Sequence, residues 1–82
     1  MEITLDQLPF RAPATVTAID WARLPEPDAR RLRNLGLDEG VAVESLHGAP
    51  FGRDPLAVRV GRMTIALRRA AARVITVDQT AR

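Results

Sequence analysis

Hydrophobic and polar residues alternate along several stretches of the chain with a period of two, which is typical of half-buried β-strands. These stretches are 15–19, 41–46, 56–60 and 63–67, and a shorter apolar run follows at 74–77. The pair Gly61-Arg62 between the third and fourth stretches has the length of a tight hairpin turn. The pattern therefore predicts about five short strands and a mainly β fold.

One short helix is predicted between the first two of these strands. Pro25 and Asp28 suit its first turn. Proline has no N–H, but an N–H in the first turn would have no partner within the helix. The negative charge of Asp28 interacts favourably with the positive end of the helix dipole. Gly36 suits the left-handed cap that ends a helix, with Leu37 packing back on the last turn. The apolar stripe consists of Ala29, Leu32 and Leu35. Roughly two helical turns are not stable alone, so the helix must pack on the sheet of a small, partly open β-barrel.

The residues before the first predicted strand contribute to the core without forming a long element. Leu5 and Leu8 are three residues apart, and we expect them to cap one end of the core. Pro9 and Pro13 prevent a long regular element in this region. Val16, in the first alternating stretch, is a candidate core residue.

The length of 82 residues indicates one domain, 1–82, with room for only one core. The absence of cysteine excludes disulfides and thiol catalysis, and a single histidine excludes a multi-histidine metal site within one chain. The longest stretches without charge, 12–19 and 45–52, have eight residues, whereas a membrane-spanning helix needs about 20 apolar residues. The N-terminus lacks the basic start and apolar run of a secretory signal, so we expect a cytoplasmic protein.

Positive charge is concentrated in the second half of the chain. All 12 basic residues are arginines, and the net charge is only +2. Residues 1–52 carry five arginines and eight acids, whereas residues 53–73 carry six arginines and one acid. This distribution is compatible with an acidic protein, RNA or anionic lipid as partner. Arginine alternating on strands also serves solubility alone.

Catalytic and metal-binding residues have few candidates. Ser45 and His47 are two apart on a predicted strand and would share one face, but no acid is placed to orient His47. Glu44 is three residues from His47 and would face the opposite side. A transition-metal site needs several converging ligands, which one chain does not offer near His47, although a site shared between chains stays open. We therefore predict no catalytic residue, no metal site and no cofactor.

Phosphate and nucleic-acid binding are also weakly supported. The stretch 48–52 is interrupted by Pro50 and leads into a strand rather than a helix, so it is not a P-loop. Proteins that bind single strands stack the bases on exposed aromatic side chains within a basic groove. The only aromatic residues here are Phe10, Trp21 and Phe51. A small-barrel nucleic-acid-binding protein is therefore an alternative rather than the first hypothesis.

Three motifs stand in order along the chain. The segment 31–41 contains Leu-Gly-Leu at the predicted helix end, followed by a turn glycine. Ala-Pro-Phe-Gly at 49–52 precedes Asp-Pro-Leu at 54–56, and Ile-Ala-Leu-Arg at 65–68 precedes Ala71, Val74, Ile75 and Val77. Together these motifs resemble the FeoA family over about 5–78, the core of the domain. Two positions depart from the family pattern: 10–13 stands where the family commonly has a glycine, and Arg53 is an extra loop residue.

The resemblance implies a fold, a function and a partner. The fold is a small SH3-like β-barrel with one short inserted helix, in agreement with the hydrophobic pattern. The function is a non-enzymatic accessory role in bacterial ferrous iron uptake, through contact with the FeoB permease, a membrane protein with a cytoplasmic GTPase domain. The chain would lie in the cytoplasm, or at the inner membrane through this partner. Similar domains occur at the C-terminus of metal-dependent repressors, which leaves a free regulatory domain as another alternative.

The loop before the strand at 56–60 is the best candidate for contact with a partner. Pro50 and the flanking glycines pre-set its shape, and Phe51 offers a rigid anchor beside charged residues, although Phe51 could equally fold inward. Arg68 could meet an acidic surface, or tie down the last turn through backbone carbonyls. The predicted partner-binding residues are Pro50, Phe51, Arg53, Asp54, Arg68 and Arg69. Self-association through an exposed strand edge at 41–46 or 74–77 is a further expectation.

Overall fold

Antiparallel strands dominate the computed structural model, which describes residues 2–49 and 54–79. The strands are β1 Glu2–Thr4, β2 Pro13–Ile19, β3 Ala42–Gly48, β4 Leu56–Val60, β5 Met63–Leu67 and β6 Ile75–Gln79. The helices are α1 Glu26–Asn34 and α2 Arg69–Ala72, with 3-10 turns at Leu5–Gln7 and Trp21–Arg23. All six strands form one sheet in the order β1-β6-β2-β3-β4-β5. The mainly β, small barrel-like fold predicted from the sequence is confirmed.

The first strand, β1, is the element that the hydrophobic pattern misses. Its residues Glu2–Thr4 pair with Asp78, Val77 and Thr76 of β6. Three residues are too few to show a period of two, so the described part of the chain has six strands instead of about five. The other strands lie within two residues of their predicted bounds. Pro13 begins β2, because the first position of a strand tolerates a residue without an N–H.

The outer strands of the sheet are β1 and β5, not the strands expected to mediate self-association. The segments 41–46 and 74–77 fall largely in β3 and β6. β3 pairs with β4 and, through Ala42–Glu44, with β2, and β6 pairs with β1 and β2, so both strands lie inside the sheet. The expectation that either strand offers an open edge is therefore wrong. Across the described residues the order of strands is linear, which leaves β1 and β5 without a neighbour on one side.

The core lies on the inner face of the curved sheet and beneath α1. Inward residues of the central strands are fully buried, for example Val58 and Val77. Ala29 and Leu32 from the predicted helical stripe are buried as well, while Leu35 packs against the margin of the core. The buried residues also include Leu5, Leu8 and Val16. The predicted core positions in these elements are thus confirmed.

The C-terminus of α1 has the predicted glycine cap. Gly36 adopts φ 94°, a left-handed conformation that glycine takes without steric cost. Its N–H donates to the Arg33 carbonyl, and the Leu37 N–H donates to the Leu32 carbonyl, both over 3.0 Å. This is the pair of hydrogen bonds that defines a Schellman motif. No helix within 2–49 or 54–79 has the length and hydropathy to cross a membrane.

Arg11 lies in the turn that leads into β2. Its φ is 70°, so a residue with a Cβ stands in the left-handed conformation there. Such a conformation costs roughly 1–2 kcal/mol for an ordinary L-residue. The Arg11 N–H donates to the Ser45 carbonyl over 2.7 Å. This hydrogen bond holds the turn into β2 against β3 and helps to offset the backbone cost.

Candidate interaction site

The predicted partner-binding residues separate into two groups. Pro50, Phe51 and Arg53 lie outside the described residues. Asp54 and Arg68 are exposed, and Arg69, at the start of α2, is half-buried. The structure therefore shows what the second group does within the chain.

Asp54 caps α2 from a distant part of the sequence. Its Oδ1 accepts a hydrogen bond from the Arg69 backbone N–H over 3.1 Å. The first N–H groups of a helix have no partner within that helix, so an external carboxylate satisfies one of them. α2 has only four residues, which makes a tertiary hydrogen bond important for its position. Asp54 thus joins the end of the loop to the start of α2.

Arg69 is tied to the 3-10 turn near the N-terminus. Its Nη1 donates to the Asp6 carbonyl oxygen over 3.3 Å. At the C-terminal end of α2, Nε of the capping residue Arg73 lies 3.7 Å from Asp6 Oδ2. Asp6 therefore holds α2 through two arginines, one at its backbone and one at its carboxylate. By contrast, the Arg68 side chain is exposed, so Arg68 is the member of the group directed to solvent.

Asp54→Ala should lower the free energy of unfolding by about 1 kcal/mol, because it leaves the Arg69 N–H without its acceptor. Asp54→Asn keeps an acceptor oxygen and should remain close to the native value. Urea unfolding followed by the fluorescence of Trp21, the single tryptophan, measures both variants. Unchanged stability of Asp54→Ala would show that this hydrogen bond does not hold α2 in solution.

A β-bulge in β3 separates Ser45 from His47. Ser45 pairs with Val58, and His47 pairs with Ala57, so two steps along β3 correspond to one step along β4. Ala57 and Val58 are neighbours on β4 and therefore face opposite sides of the sheet, and each residue of β3 lies on the same face as its cross-strand partner. Ser45 is therefore buried with Val58, whereas His47 is exposed. The prediction that Ser45 and His47 share one face is wrong, because alternation does not continue through the bulge.

The same bulge places Glu44 on the outer face with His47. Glu44 pairs with Arg59 across the sheet, and Arg59 lies two residues from Ala57, the partner of His47. The prediction that Glu44 and His47 face opposite sides is therefore also wrong. Glu44 is instead engaged by Arg59, with 3.6 Å between carboxylate oxygen and guanidinium nitrogen. No group of three or more His, Cys, Asp or Glu within the described residues could hold a metal ion.

A cleft between α1 and β5 is a feature that sequence reasoning missed. It has a volume of about 600 Å³. Buried side chains form its floor, namely Leu24, Leu32, Leu67 and Ala71. Exposed arginines form its rim, namely Arg23, Arg31 and Arg68. The sequence signals only Arg68, within the basic segment, because Arg23 and Arg31 reach the cleft through the placement of the 3-10 turn at Trp21–Arg23 and of α1 beside β5.

The aromatic residues in the described part of the chain do not form an open stacking surface. The Arg33 guanidinium lies over the Trp21 ring, 4.5 Å from its centroid. Trp21 is half-buried against the core, so one face of its ring is covered by a cation and much of the rest by protein. Phe10 is 36% exposed. Base stacking on Trp21 would therefore require displacement of Arg33.

The arrangement of strands and α1 agrees with a family match over nearly the whole chain. The model of the FeoA domain matches residues 3–79. The chain belongs to the FeoA family. This family is associated with ferrous iron transport, and the resemblance drawn from the three motifs is confirmed. A comparison with curated proteins found no match.

Solved FeoA structures are similar to this chain along most of its length. FeoA of Stenotrophomonas maltophilia is 37% identical, with a TM-score of 0.77 and coverage of 93% of this chain and 89% of that one. It was crystallised with zinc and is described as an SH3-domain protein and a candidate activating factor of ferrous iron transport. FeoA of Chlorobium tepidum is 34% identical, with a TM-score of 0.84 and coverage of 96% and 71%. These matches confirm the SH3-like fold.

The fold also occurs within a larger regulatory protein. A manganese-dependent transcriptional repressor is 20% identical, with a TM-score of 0.81, and the match covers 96% of this chain and 42% of that one. At this identity the likeness shows the fold alone. This FeoA-family chain therefore shares its architecture with one part of a repressor.

Proposed function

We propose that this FeoA-family chain is a non-enzymatic accessory protein of ferrous iron uptake that binds the cytoplasmic part of a FeoB-type permease. The observation that carries the proposal is the match of the FeoA domain to residues 3–79. The chain acts as one domain, in the cytoplasm or at the inner membrane through the permease. The small size of the domain favours regulation by contact over chemistry of its own.

The proposed contact uses the loop at 50–54 and the neighbouring start of α2. Asp54, at the end of this loop, accepts a hydrogen bond from the Arg69 N–H, so a partner that touches Asp54 also lies near Arg68. Arg68 supplies a solvent-directed positive charge, and Phe51 supplies the apolar anchor. A bound accessory protein changes transport only if it binds one conformation of the permease more tightly than another.

Binding to the purified cytoplasmic part of the permease from the same organism tests the proposal. We expect Phe51→Ala to weaken binding about 30-fold, the loss typical of a hot-spot aromatic residue, and Arg53→Ala about tenfold. Arg62→Ala removes an exposed arginine from the hairpin turn between β4 and β5, and its affinity should stay within twofold. Biolayer interferometry at moderate salt gives the dissociation constants.

Two outcomes would overturn the proposal. One is failure of the wild-type chain to bind the permease in the apo or GTP-bound form. The other is retention, in a pull-down from cell extract, of nucleic acid that washes off with salt while no permease is recovered. Steep loss of affinity with salt is the behaviour of a phosphate-binding surface, so this second result would favour the nucleic-acid-binding alternative.

A further inference from the structure

The free edge of β5 offers backbone groups for another strand. The two-residue turn at Gly61-Arg62 makes Val60 and Met63 the closing pair of the β4–β5 hairpin. Hydrogen-bonded and non-hydrogen-bonded pairs alternate along an antiparallel ladder. Met63, Ile65 and Leu67 therefore bond to β4, whereas the two residues between them direct N–H and C=O away from it. These residues are Thr64 and Ala66, and both are exposed.

One of these edge groups is already in use. Arg31 Nη2, from α1, donates to the Ala66 carbonyl oxygen over 3.2 Å. This contact agrees with the direction deduced for the Ala66 backbone. It joins an exposed guanidinium to a neutral carbonyl, which is a weaker acceptor than a carboxylate. A carboxylate that reached the α1–β5 cleft would therefore compete well for Arg31.

The cleft gathers arginines that lack an acidic partner. Three other arginines of the described segments have one: Arg30 lies by Glu26, Arg59 by Glu44 and Arg73 by Asp6. Arg11 and Arg62 form no ion pair with a described residue either, but neither of them lines the cleft. Arg23, Arg31 and Arg68, on the rim, form no ion pair with a described residue. Among the described residues that line the cleft, Asp28 is the one acid. The site therefore has a net positive lining around an apolar floor.

We infer that β5 and the α1–β5 cleft bind an extended, acidic peptide segment of a partner protein. The peptide adds as a strand beside β5, bonding to Thr64 and to the Ala66 N–H. Its carboxylates pair with Arg31 and Arg68, and its apolar side chains meet the floor of the cleft. Strand addition supplies affinity through the main chain, while the charged and apolar pockets supply specificity. The inference rests on the proposed function in one respect, namely that this chain works through protein contact.

A second copy of this chain fits the same edge poorly in the register that pairs the two β5 strands along their whole length. Consider the two-fold antiparallel register that pairs Thr64 of one β5 with Ala66 of the other. Moving along one strand by two residues moves along the other by two residues in the opposite direction. Arg62 of each copy then faces Arg68 of the other. Like charges directly opposite on neighbouring strands are destabilising. An acidic partner strand avoids this repulsion and gives Arg68 a counter-charge, so charge complementarity selects a different partner.

A synthetic peptide tests the inference on the full-length chain. The probe is a fluorescein-labelled peptide of alternating valine and glutamate, seven residues long, and its control carries lysine for glutamate. We expect the acidic peptide to bind and the lysine peptide not to bind by fluorescence anisotropy. Arg31→Gln and Arg68→Gln should each weaken binding about tenfold, as expected for loss of a charge-assisted contact. Arg30→Gln, the neighbouring arginine paired with Glu26, should stay within twofold.

A second readout distinguishes strand addition from general attraction. In ¹⁵N–¹H NMR spectra, the amides of Thr64 and Ala66 should shift and exchange more slowly with solvent when the acidic peptide binds, because both become hydrogen-bonded. The Arg62 amide serves as an internal reference on the neighbouring turn. Binding without protection of Thr64 would overturn the inference, as would equal weakening by Arg30→Gln. A thymidine oligonucleotide that binds more tightly with the same arginine dependence would also overturn it.

Failure of this inference is distinguishable from failure of the proposed function. If the cytoplasmic part of the permease binds wild type and Arg31→Gln equally well, the acidic-peptide site is wrong for that contact while the proposed function stands. The opposite result is that the permease does not bind, while the acidic peptide binds, is weakened by Arg31→Gln and Arg68→Gln, and protects the Thr64 and Ala66 amides. In that case the proposed function is wrong and the peptide-binding site on β5 is supported.

Discussion

Leu32→Ala should reduce the free energy of unfolding by about 3 kcal/mol and the melting temperature by about 15 °C. Leu32 is only 1% exposed and lies on the face of α1 that packs on the sheet. Truncation removes apolar contacts and leaves a cavity that a small core refills poorly. Because a domain of this size buries a modest share of its surface, the loss is a large fraction of its total stability. Thermal unfolding followed by circular dichroism measures the change.

Leu35→Ala is the matched control on the same helix. Leu35 belongs to the same apolar stripe but is half-buried at the margin of the core. Its truncation should cost roughly 1 kcal/mol, because less apolar surface returns to water. Equal losses in the two variants would contradict the burial difference and would mean that Leu35 packs as closely as Leu32, because alanine favours the helix and its propensity cannot cause a loss.

Local chemistry made the end of α1 predictable from sequence. A left-handed residue is needed one position beyond the helix, and Gly36 meets that need without a side chain. The apolar residue that follows, Leu37, closes the motif and is buried. The hairpin turn at Gly61-Arg62 was predictable for a similar reason, because Gly61 adopts a positive φ of 59°. Such features depend on a few consecutive residues, which the sequence displays directly.

The bulge in β3 was not predictable, because it depends on the partner strand. Alternation reads smoothly from Val43 through His47, and nothing in these residues marks the extra one. Only the register against β4 shows that Leu46 stands where the ladder slips. The missed bulge placed Ser45 and His47 on one face of the sheet, and Glu44 and His47 on opposite faces, and both placements are wrong. The first strand was missed for a related reason, since β1 is defined by its pairing with β6.

The cleft arginines illustrate the same limit for the candidate site. The charge run of 53–73 drew attention to Arg68, but Arg31 belongs to a helix whose acids and arginines balance more evenly. Its role follows from a hydrogen bond to Ala66, 35 residues away. Conversely, the sequence indicates that Arg69 is a surface cation, whereas in the structure its guanidinium donates a hydrogen bond to the Asp6 carbonyl oxygen. Charge density along a chain therefore indicates candidates without showing which ones are already engaged.

Ile65→Pro should cost about 5 kcal/mol and leave the chain largely unfolded at 25 °C. Ile65 is opposite Val58 in the ladder and is 8% exposed. Proline removes the N–H that pairs with Val58, which leaves a buried carbonyl without its donor. It also truncates the packed side chain, a loss comparable to isoleucine to alanine. Together these losses approach the whole stability expected of a small domain, and circular dichroism should show loss of the native sheet.

Two further variants separate the backbone effect from the side-chain effect. Ile65→Ala keeps the N–H and should cost about 3 kcal/mol, so the difference between the two Ile65 variants measures the hydrogen bond to β4. Thr64→Pro removes an N–H that faces the free edge and should cost less than about 1 kcal/mol, because outer strands tolerate proline at such positions. If Thr64→Pro unfolds the chain as severely as Ile65→Pro, the alternation of backbone groups along β5 is wrong. If it folds normally, β5 has the open edge on which strand addition depends, and the same variant lacks one of the donors that an added strand would use.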